Sequence, residues 1–115
     1  MALIVSENAF NNKKEVEQEI KAANLWMLEL QLESGSGRNP HWHKFYGQVS
    51  IIEGEFTIRD ESNGSTYTCS AGTRIVVPPR SVHSELSGNA NALVGLSMDP
   101  ATLSENVDLP PSALV

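Results

Sequence analysis

Short segments of alternating apolar and polar residues, separated by turn-forming residues, recur along most of this 115-residue chain. From Leu25 to Glu33 every second side chain is apolar, which is the pattern of a half-buried strand. Further short strands are predicted at 49–52, 55–60, 66–69, 74–77, 82–86 and 92–98, with glycine, proline or asparagine between most of them. Such spacing predicts an all-β sandwich or barrel.

Two positions are expected to interrupt the strands. Gly54 lies between two of the segments, where the missing side chain permits a tight turn or a bulge. Polar residues 87–91 are predicted to form a turn between the last two strands. Before the first strand, Val16, Ile20 and Ala23 follow one another at helical spacing among lysines and glutamates, which predicts a short amphipathic helix over 12–23.

The length and composition fit one compact domain. With 40% hydrophobic residues in 115, one core is expected. Residues 1–24 are assigned to an N-terminal arm and helix, 25–99 to the barrel, and 100–115 to a tail that packs on it.

The charge and the cysteine content of the chain limit its possible partners and indicate its cellular compartment. The net charge is −6, and no basic cluster extends beyond Lys13-Lys14, which argues against nucleic acid and anionic lipid as partners. The first residues do not form a signal peptide, and no apolar run approaches the length of about 18 residues expected of a membrane span. Cys69 is the single cysteine, so no intrachain disulfide is possible. We expect its side chain to be buried and to act as a small hydrophobe. A cytoplasmic location is expected.

All three histidines of the chain belong to two short motifs. His41 and His43 form a His-x-His pair, and on an extended segment both imidazoles point to one side because side chains alternate. His83 follows Pro78-Pro79 in a distant segment. Neutral imidazole is the commonest protein ligand of transition metals, so the three could form a facial ligand set. Histidines that are merely packed in the barrel are the alternative.

These motifs resemble the two conserved motifs of the cupin family, small jelly-roll β-barrels. The first, Gly-x5-His-x-His-x3,4-Glu-x6-Gly, aligns with Gly35, His41, His43 and Gly54. The second, Gly-x5-Pro-x-Gly-x2-His-x3-Asn, aligns with Gly72, Pro78 and His83, while Arg80 and Ser87 stand at its later Gly and Asn. The resemblance implies a double-stranded β-helix, or jelly-roll cupin barrel, with a short N-terminal helix.

The chain departs from the cupin pattern at the acidic metal ligand. Counting back from Gly54, that ligand falls on Gly47, whereas the longer spacing from His43 places it on Gln48. Gln48 has the opposite strand parity from His43, so it would reach the same site only if a bulge at Gly47 offset the strand. Gln48 is kept as a tentative fourth metal ligand, with a role for its amide elsewhere on the strand or in solvent as the alternative.

The resemblance implies one divalent transition metal per chain, held by His41, His43 and His83. Fe, Mn, Zn, Ni, Co and Cu all accept imidazole, so the ligands do not select the metal. Without a carboxylate ligand the ion keeps its full charge, which favours anionic or chelating ligands. Among cupins, three-histidine centres occur in iron dioxygenases whose substrates bind through an enolate, carboxylate or thiolate.

Other residues near the motifs are candidates for secondary roles. Tyr46 is a candidate proton donor, or an aromatic wall of the barrel. Arg80 could pair with a substrate carboxylate or form a surface ion pair. Trp42 faces away from the histidines by parity, so we expect it to pack against the opposite sheet or a partner chain. The acidic residues near the motifs are expected to form a solvated face: Glu53, Glu55 and Glu85.

Three functions remain open. The first is a metal-dependent enzyme that acts on a small polar or anionic molecule, with dioxygenase-type chemistry ahead of isomerase or lyase chemistry. The second is a non-catalytic module that binds a small ligand such as a sugar or metabolite, and the third is a structural role. The resemblance to small single-domain cupins, which often pair as dimers through sheet edges or exchanged terminal segments, implies a homodimer, and an open edge strand needs covering in any case. The candidate contacts are the N-terminal segment and Trp42.

Overall fold

Antiparallel strands make up most of the part of the chain that this computed structural model describes, which is residues 2–33, 39–102 and 109–113. The strands are β1 (Ile4–Ser6), β2 (Trp26–Glu33), β3 (Gly47–Asp60), β4 (Ser65–Ser70), β5 (Arg74–Val77) and β6 (His83–Leu96). The helix α1 (Lys13–Ala22) and two short 3-10 turns, Pro100–Thr102 and Pro111–Ala113, are the other elements. The all-β prediction with a short N-terminal helix is confirmed. Gly35 of the first motif lies outside the described residues.

β3 lies at the centre of a six-stranded sheet. β6 pairs with it along its whole length. On the other edge of β3, β5 pairs with residues 47–50 and β4 with residues 55–60. β1 extends the sheet beyond β5 and β2 extends it beyond β6, which gives the order β1-β5-β3-β6-β2. Since successive side chains alternate, every second residue of the curled strands points into one common interior.

β3 and β6 are each continuous over 14 residues, where two separate pairs of strands were predicted. The predicted interruptions fall on glycines that keep the strands close instead of ending them. Gly54 has a φ of +89°, and a Cβ there would lie 2.2 Å from the backbone oxygen of Asn89. Gly88 has a φ of +127°, and a Cβ there would lie 2.4 Å from the backbone oxygen of Glu55. The two glycines therefore let the long strands approach closely. The pairing of β3 with β6 continues past them with a register shift near each, between Ile51 and Glu53 and between Thr57 and Ile58, so the predicted irregularity at Gly54 is a bulge and not a turn.

α1 packs on the outer face of the sheet. The side chain of Asn12 accepts a 3.0 Å hydrogen bond from the Glu15 N–H, and Glu15 in turn accepts one from the Asn11 N–H at 2.6 Å. The first of these bonds caps the Glu15 N–H in the first turn of the helix, and the second ties Glu15 to the residue before the cap. Val16 and Ile20 are fully buried against Leu93 of β6. Within the described residues, no helix is long and apolar enough to cross a membrane.

β1 is an element that the sequence pattern did not predict. It pairs with β5, and beside it the Leu3 N–H donates a 2.9 Å hydrogen bond to Asp60, which is fully buried at the end of β3. Burial alone raises the pKa of the Asp60 carboxyl, but hydrogen bonds from the Ser62 hydroxyl, the Leu3 N–H and the Ser62 N–H outweigh that effect, so the pKa lies below its ordinary value. A buried carboxylate thus holds the N-terminal arm on the barrel.

Cys69 is buried in the core cluster of the barrel and is 1% exposed. Burial, together with the negative charge of Glu7, raises the pKa of the thiol to about 11. The side chain is therefore a neutral thiol at physiological pH, which confirms the prediction of a small buried hydrophobe.

Candidate metal centre and ligand cavity

The structure brings the three histidines of the two motifs together. His41 and His83 face each other across a β-bridge and exchange two backbone hydrogen bonds of 2.9 Å. Their ring centroids lie 4.4 Å apart, and the His43 ring lies 5.3 Å from His41 and 5.2 Å from His83. His41 and His83 are buried, and His43 is half-buried. The alternation predicted for His-x-His therefore places both imidazoles beside His83.

Two of the three imidazoles are fixed in orientation by backbone carbonyls. Nδ1 of His41 lies 2.7 Å from the carbonyl oxygen of Asn39, and Nδ1 of His83 lies 2.8 Å from that of Ser81. A carbonyl oxygen only accepts hydrogen bonds, so in each neutral ring the proton is on Nδ1 and the lone pair is on Nε2. Metal-binding histidines in proteins show this arrangement, in which a hydrogen bond anchors one ring nitrogen, here Nδ1, and the other, here Nε2, can coordinate a metal.

The spacing of the ring nitrogens fits one shared ion. One nitrogen from each of the three rings lies within 4.8 Å of the other two. Metal–nitrogen bonds of about 2.1 Å in a tetrahedral arrangement would place the three nitrogens about 3.4 Å from one another, so each ring would have to move by up to about 1 Å for all three to coordinate one ion. Among the described residues, no carboxylate or thiolate belongs to this group. Three neutral imidazoles fit a transition metal rather than Mg²⁺ or Ca²⁺, which prefer oxygen ligands.

A cavity of about 230 Å³ lies inside the barrel beside the imidazoles. His43 and His83 form part of its wall, and the His43 ring stacks on Phe45 with the centroids 5.0 Å apart. Glu85 is the third polar residue of the wall, and the remaining lining residues, from β2, β3, β5, β6 and the loop before β3, are apolar or glycine. The cavity is therefore an apolar chamber with one polar end at the histidines.

Gly47 occupies the cavity wall where the cupin resemblance places an acidic ligand. The pairing of β3 with β6 is regular here, with Gly47 opposite Leu96 and Gln48 opposite Gly95, so the bulge that would offset Gln48 is absent. Gln48 consequently points away from the cavity, and its Oε1 lies 3.5 Å from the hydroxyl of Tyr46 on the same face. Neither Gln48 nor Tyr46 is among the residues that line the cavity.

Trp42 and Arg80 lie together outside the cavity. Trp42 is 5% exposed and is covered by its own chain: its backbone pairs with Leu109, and its Nε1 donates a 2.9 Å hydrogen bond to the Pro110 carbonyl. The Arg80 guanidinium carbon lies 5.8 Å from the Trp42 ring centroid. We expected Trp42 to pack against the opposite sheet or a partner chain. In the structure the C-terminal segment at Leu109 and Pro110 covers it instead.

Arg80 contacts the site through its backbone. It has a φ of +67° at the motif position where cupins have glycine, and its N–H donates a 2.8 Å hydrogen bond to the His43 carbonyl. A positive φ is strained in a residue with a side chain, and such strain persists where surrounding contacts enforce it. Arg80 thus holds the loop of the second motif against the first, while its side chain stacks on Trp42.

Glu85 is a wall residue of the cavity, whereas it was expected on a solvated face. It is half-buried, lies two residues after His83 on β6, and pairs with Ile58, which also lines the cavity. The signal was available in the sequence, because residues two apart on a strand share a face. Glu85 does not stand at a ligand position of either cupin motif, so the motifs alone do not predict it.

Comparison with known families gives one match. Residues 29–109, which include all three histidines, match the sequence model of the family described as the AraC-like ligand binding domain. No curated protein sequence matches the chain significantly.

Several solved structures share the fold. The polyketide cyclase RemF from Streptomyces resistomycificus has a TM-score of 0.55 and 21% identity, over 69% of this chain and 61% of that one. A DUF861 family protein from Thermotoga maritima has a TM-score of 0.53 and 14% identity, over 79% and 96%. A protein from Neisseria meningitidis has a TM-score of 0.50 and 20% identity, over 71% and 96%. This chain spans less than two thirds of RemF. The likeness concerns the fold and confirms the predicted jelly-roll cupin barrel.

Proposed function

This chain belongs to the AraC-like ligand-binding domain family, which has the cupin fold, and from that premise we propose that its barrel binds a small molecule against a divalent transition metal held by His41, His43 and His83. The observation that carries the proposal is a cluster of three imidazoles in which backbone carbonyls anchor the Nδ1 atoms of His41 and His83, and in which His43 and His83 line an apolar cavity. Histidines that only pack in a core do not have to be clustered beside a cavity with one nitrogen of each anchored ring left to coordinate, whereas metal ligands do.

The proposed ligand is compact and mainly apolar, with a polar metal-binding group at one end. A cavity of about 150 Å³ holds a benzene molecule, so the volume of about 230 Å³ suits a single ring with a few substituents. The apolar wall favours the body of such a molecule by removing its surface from water. The sequence led us to expect a polar or anionic substrate, and the cavity limits this class to molecules that carry their polar groups at one end.

The proposed reaction class is dioxygenase-type oxidation of that ligand. When bound, the metal supplies Lewis acidity and, if it is Fe, Mn, Co, Ni or Cu, redox chemistry, whereas Zn supplies only the former. The three imidazoles occupy three coordination positions and leave the others open to ligands. Phe45 and the apolar strand residues contact the apolar body of the ligand. The proposal assigns no proton transfer to Tyr46 or Arg80, because neither lines the cavity.

Measurement of the metal content tests whether the three histidines bind a metal, which the proposal requires. Tag-free protein, loaded with Fe(II), Mn(II) or Zn(II) and dialysed, is expected to retain about one metal per chain, and His41→Ala and His83→Ala are expected to retain less than about one-tenth. Gln48→Ala is the matched control, because Gln48 lies on β3 but points away from the cavity, and it should retain the metal. Retention below about one-tenth of an equivalent in the unmodified protein contradicts the proposal.

A non-catalytic ligand-binding module is the second candidate. Two observations favour it: the matching family is described by ligand binding, and the cavity wall in the described residues carries only one carboxylate besides the histidines. Oxygen uptake separates the two candidates. Metal-loaded protein is tested with small diketones, thiols and hydroxy acids, and consumption that disappears in His83→Ala supports the enzyme. Ligand binding without any consumption supports the module.

We also propose a cytoplasmic homodimer as the working form. The location rests on the sequence, with its single buried Cys69. The dimer proposal rests on two of the sheet edges, because β1 and β2 end the strand order and carry exposed apolar side chains, including Ile4 and Trp26 at 56% and 50% exposure. Exposed edges of this kind are usually covered.

A further inference from the structure

Glu85 is a carboxylate in the wall of an otherwise apolar cavity, close to the proposed metal centre. Its strand neighbour two positions earlier is His83, and residues two apart on a strand lie about 6.6 Å apart on the same face. Its cross-strand neighbour is Ile58, a buried wall residue. The carboxylate and the imidazole therefore stand on one stretch of wall and face the same ligand.

The surroundings of Glu85 give its charge an effect on ligand choice. Apolar walls provide little screening, so a charged acceptor there interacts more strongly with a ligand than it would on the surface. A carboxylate accepts hydrogen bonds and repels other anions. The three imidazoles next to it attract an oxygen of the ligand only through the metal they hold. The two parts of the wall therefore select different features of one molecule.

We propose that Glu85 determines the specificity of the cavity. It accepts a hydrogen bond from a hydroxyl group of the ligand, while a neighbouring oxygen of the ligand coordinates the metal on His41, His43 and His83. The ligand class is a compact ring or chain with two adjacent oxygens, of which one carries a proton, and simple carboxylates are disfavoured. The inference rests on the proposed metal centre and adds the chemical class of the molecule bound there.

The spacing on β6 explains why the two oxygens are adjacent. Glu85 and His83 are separated by one residue, and both line the cavity of about 230 Å³. A donor and a coordinating oxygen at opposite ends of a ligand do not both reach this short stretch of wall. Neighbouring oxygens on one ring do.

The test uses Zn(II)-loaded protein, because zinc allows binding to be measured without turnover. The calorimetric probes are 1,2-dihydroxybenzene, 2-methoxyphenol, which lacks the second donor, and benzoate, a compact anion. The unmodified protein is expected to bind 1,2-dihydroxybenzene at least about tenfold more tightly than either of the others. Glu85→Leu removes the acceptor and should bring the two phenols within about threefold of each other. Glu85→Gln removes the charge and should shrink the preference over benzoate at least about fivefold.

Glu55→Gln is the matched control, because it removes the same charge from an exposed position on β3 and should leave all three affinities unchanged. Metal content is measured on every sample. If zinc is retained but Glu85→Leu and Glu85→Gln bind the probes as the unmodified protein does, or if Glu55→Gln changes them equally, the inference is wrong and the metal centre stands. The same holds if the zinc-loaded protein shows no preference for 1,2-dihydroxybenzene. If zinc is not retained, the proposed function fails and the inference fails with it.

Discussion

The backbone carbonyls of Asn39 and Ser81 decide what the His41 and His83 imidazoles can do. Each carbonyl fixes the proton on Nδ1 and thereby leaves Nε2 basic and oriented. Both carbonyls lie two residues before the histidine they bind, so the local backbone that leads into each motif sets the tautomer. The chemistry of these rings is therefore determined by loop conformation as well as by residue type.

At the same scale, Asp60 makes stability depend on pH. Its pKa in the folded protein lies below the ordinary value of 3.8, so the ionised form stabilises the fold; this contribution is complete above the unfolded pKa of about 3.9 and is lost as the pH falls through the folded value. Asp60→Asn is expected to lower the free energy of unfolding by about 1–3 kcal/mol at pH 7.

Urea unfolding at pH 7 and at successively lower pH measures this effect. The difference between the unmodified protein and Asp60→Asn should shrink as the pH falls below about 4, because protonation removes the charge that the substitution removes. Glu53→Gln, at an exposed position on β3, should show no such convergence. A difference that is independent of pH would exclude Asp60 as its source.

Residue identity and parity predicted part of the site. The His-x-His alternation placed His41 and His43 on one face, and the parity of Gln48 indicated that it would face away unless a bulge intervened; the structure has no bulge there. Glu85 lies two residues after His83, so the same alternation predicts that it shares the face of His83, and both residues line the cavity. The hydrogen bonds to Nδ1 could not be predicted, because they depend on loop backbone positions that residue types do not specify.

At the scale of the elements, two glycines keep β3 and β6 together. Gly88→Ala is expected to destabilise the protein by about 2–4 kcal/mol, because the new methyl group would meet backbone atoms of Glu55 and Phe56 at a positive φ. Gly47→Ala is the matched control, since a Cβ there meets only the Leu96 side chain, at 3.6 Å. Thermal and urea unfolding of both variants check this. A Gly88→Ala variant within about 0.5 kcal/mol of the unmodified protein would show that the strands separate more easily than the structure implies.

Strand positions were predictable and strand continuity was not. The predicted segment 74–77 coincides with β5, and 25–33 contains β2, because their apolar patterns and flanking turns are local signals. The segments on either side of Gly54 and of residues 87–91 belong to single strands. A glycine in a strand-like sequence is compatible with a turn or with close strand contact, and only the partner strand distinguishes them. β1 was missed because its three residues are stabilised by pairing with β5.

At the scale of the whole molecule, the exposed apolar residues are the basis for predicting which edge of the sheet the proposed dimer uses. Of the large hydrophobic residues that are exposed in the described part of the chain, three lie on β2: Trp26, Met27 and Leu30. We predict that the dimer forms across this edge. Light scattering should report a particle of twice the 12.5 kDa chain mass, and Trp26→Glu should reduce it to one chain.

Ile4→Glu is the control for this interface, because Ile4 is exposed at the opposite edge of the sheet, on β1. It should leave the dimer intact. Dissociation by Ile4→Glu alone would place the interface at the N-terminal segment instead. A 12.5 kDa particle at every concentration would contradict the dimer itself.

The central claim is that three imidazoles hold one metal ion at the end of the cavity. X-ray absorption at the zinc edge of the Zn(II)-loaded protein tests it directly, because multiple scattering from imidazole rings counts the histidine ligands. We predict three imidazole nitrogens at about 2.0–2.1 Å, oxygen ligands in the remaining positions and no sulfur. His43→Ala should lower the imidazole count by one. A spectrum with sulfur, or with fewer than three imidazoles in the unmodified protein, would contradict the account.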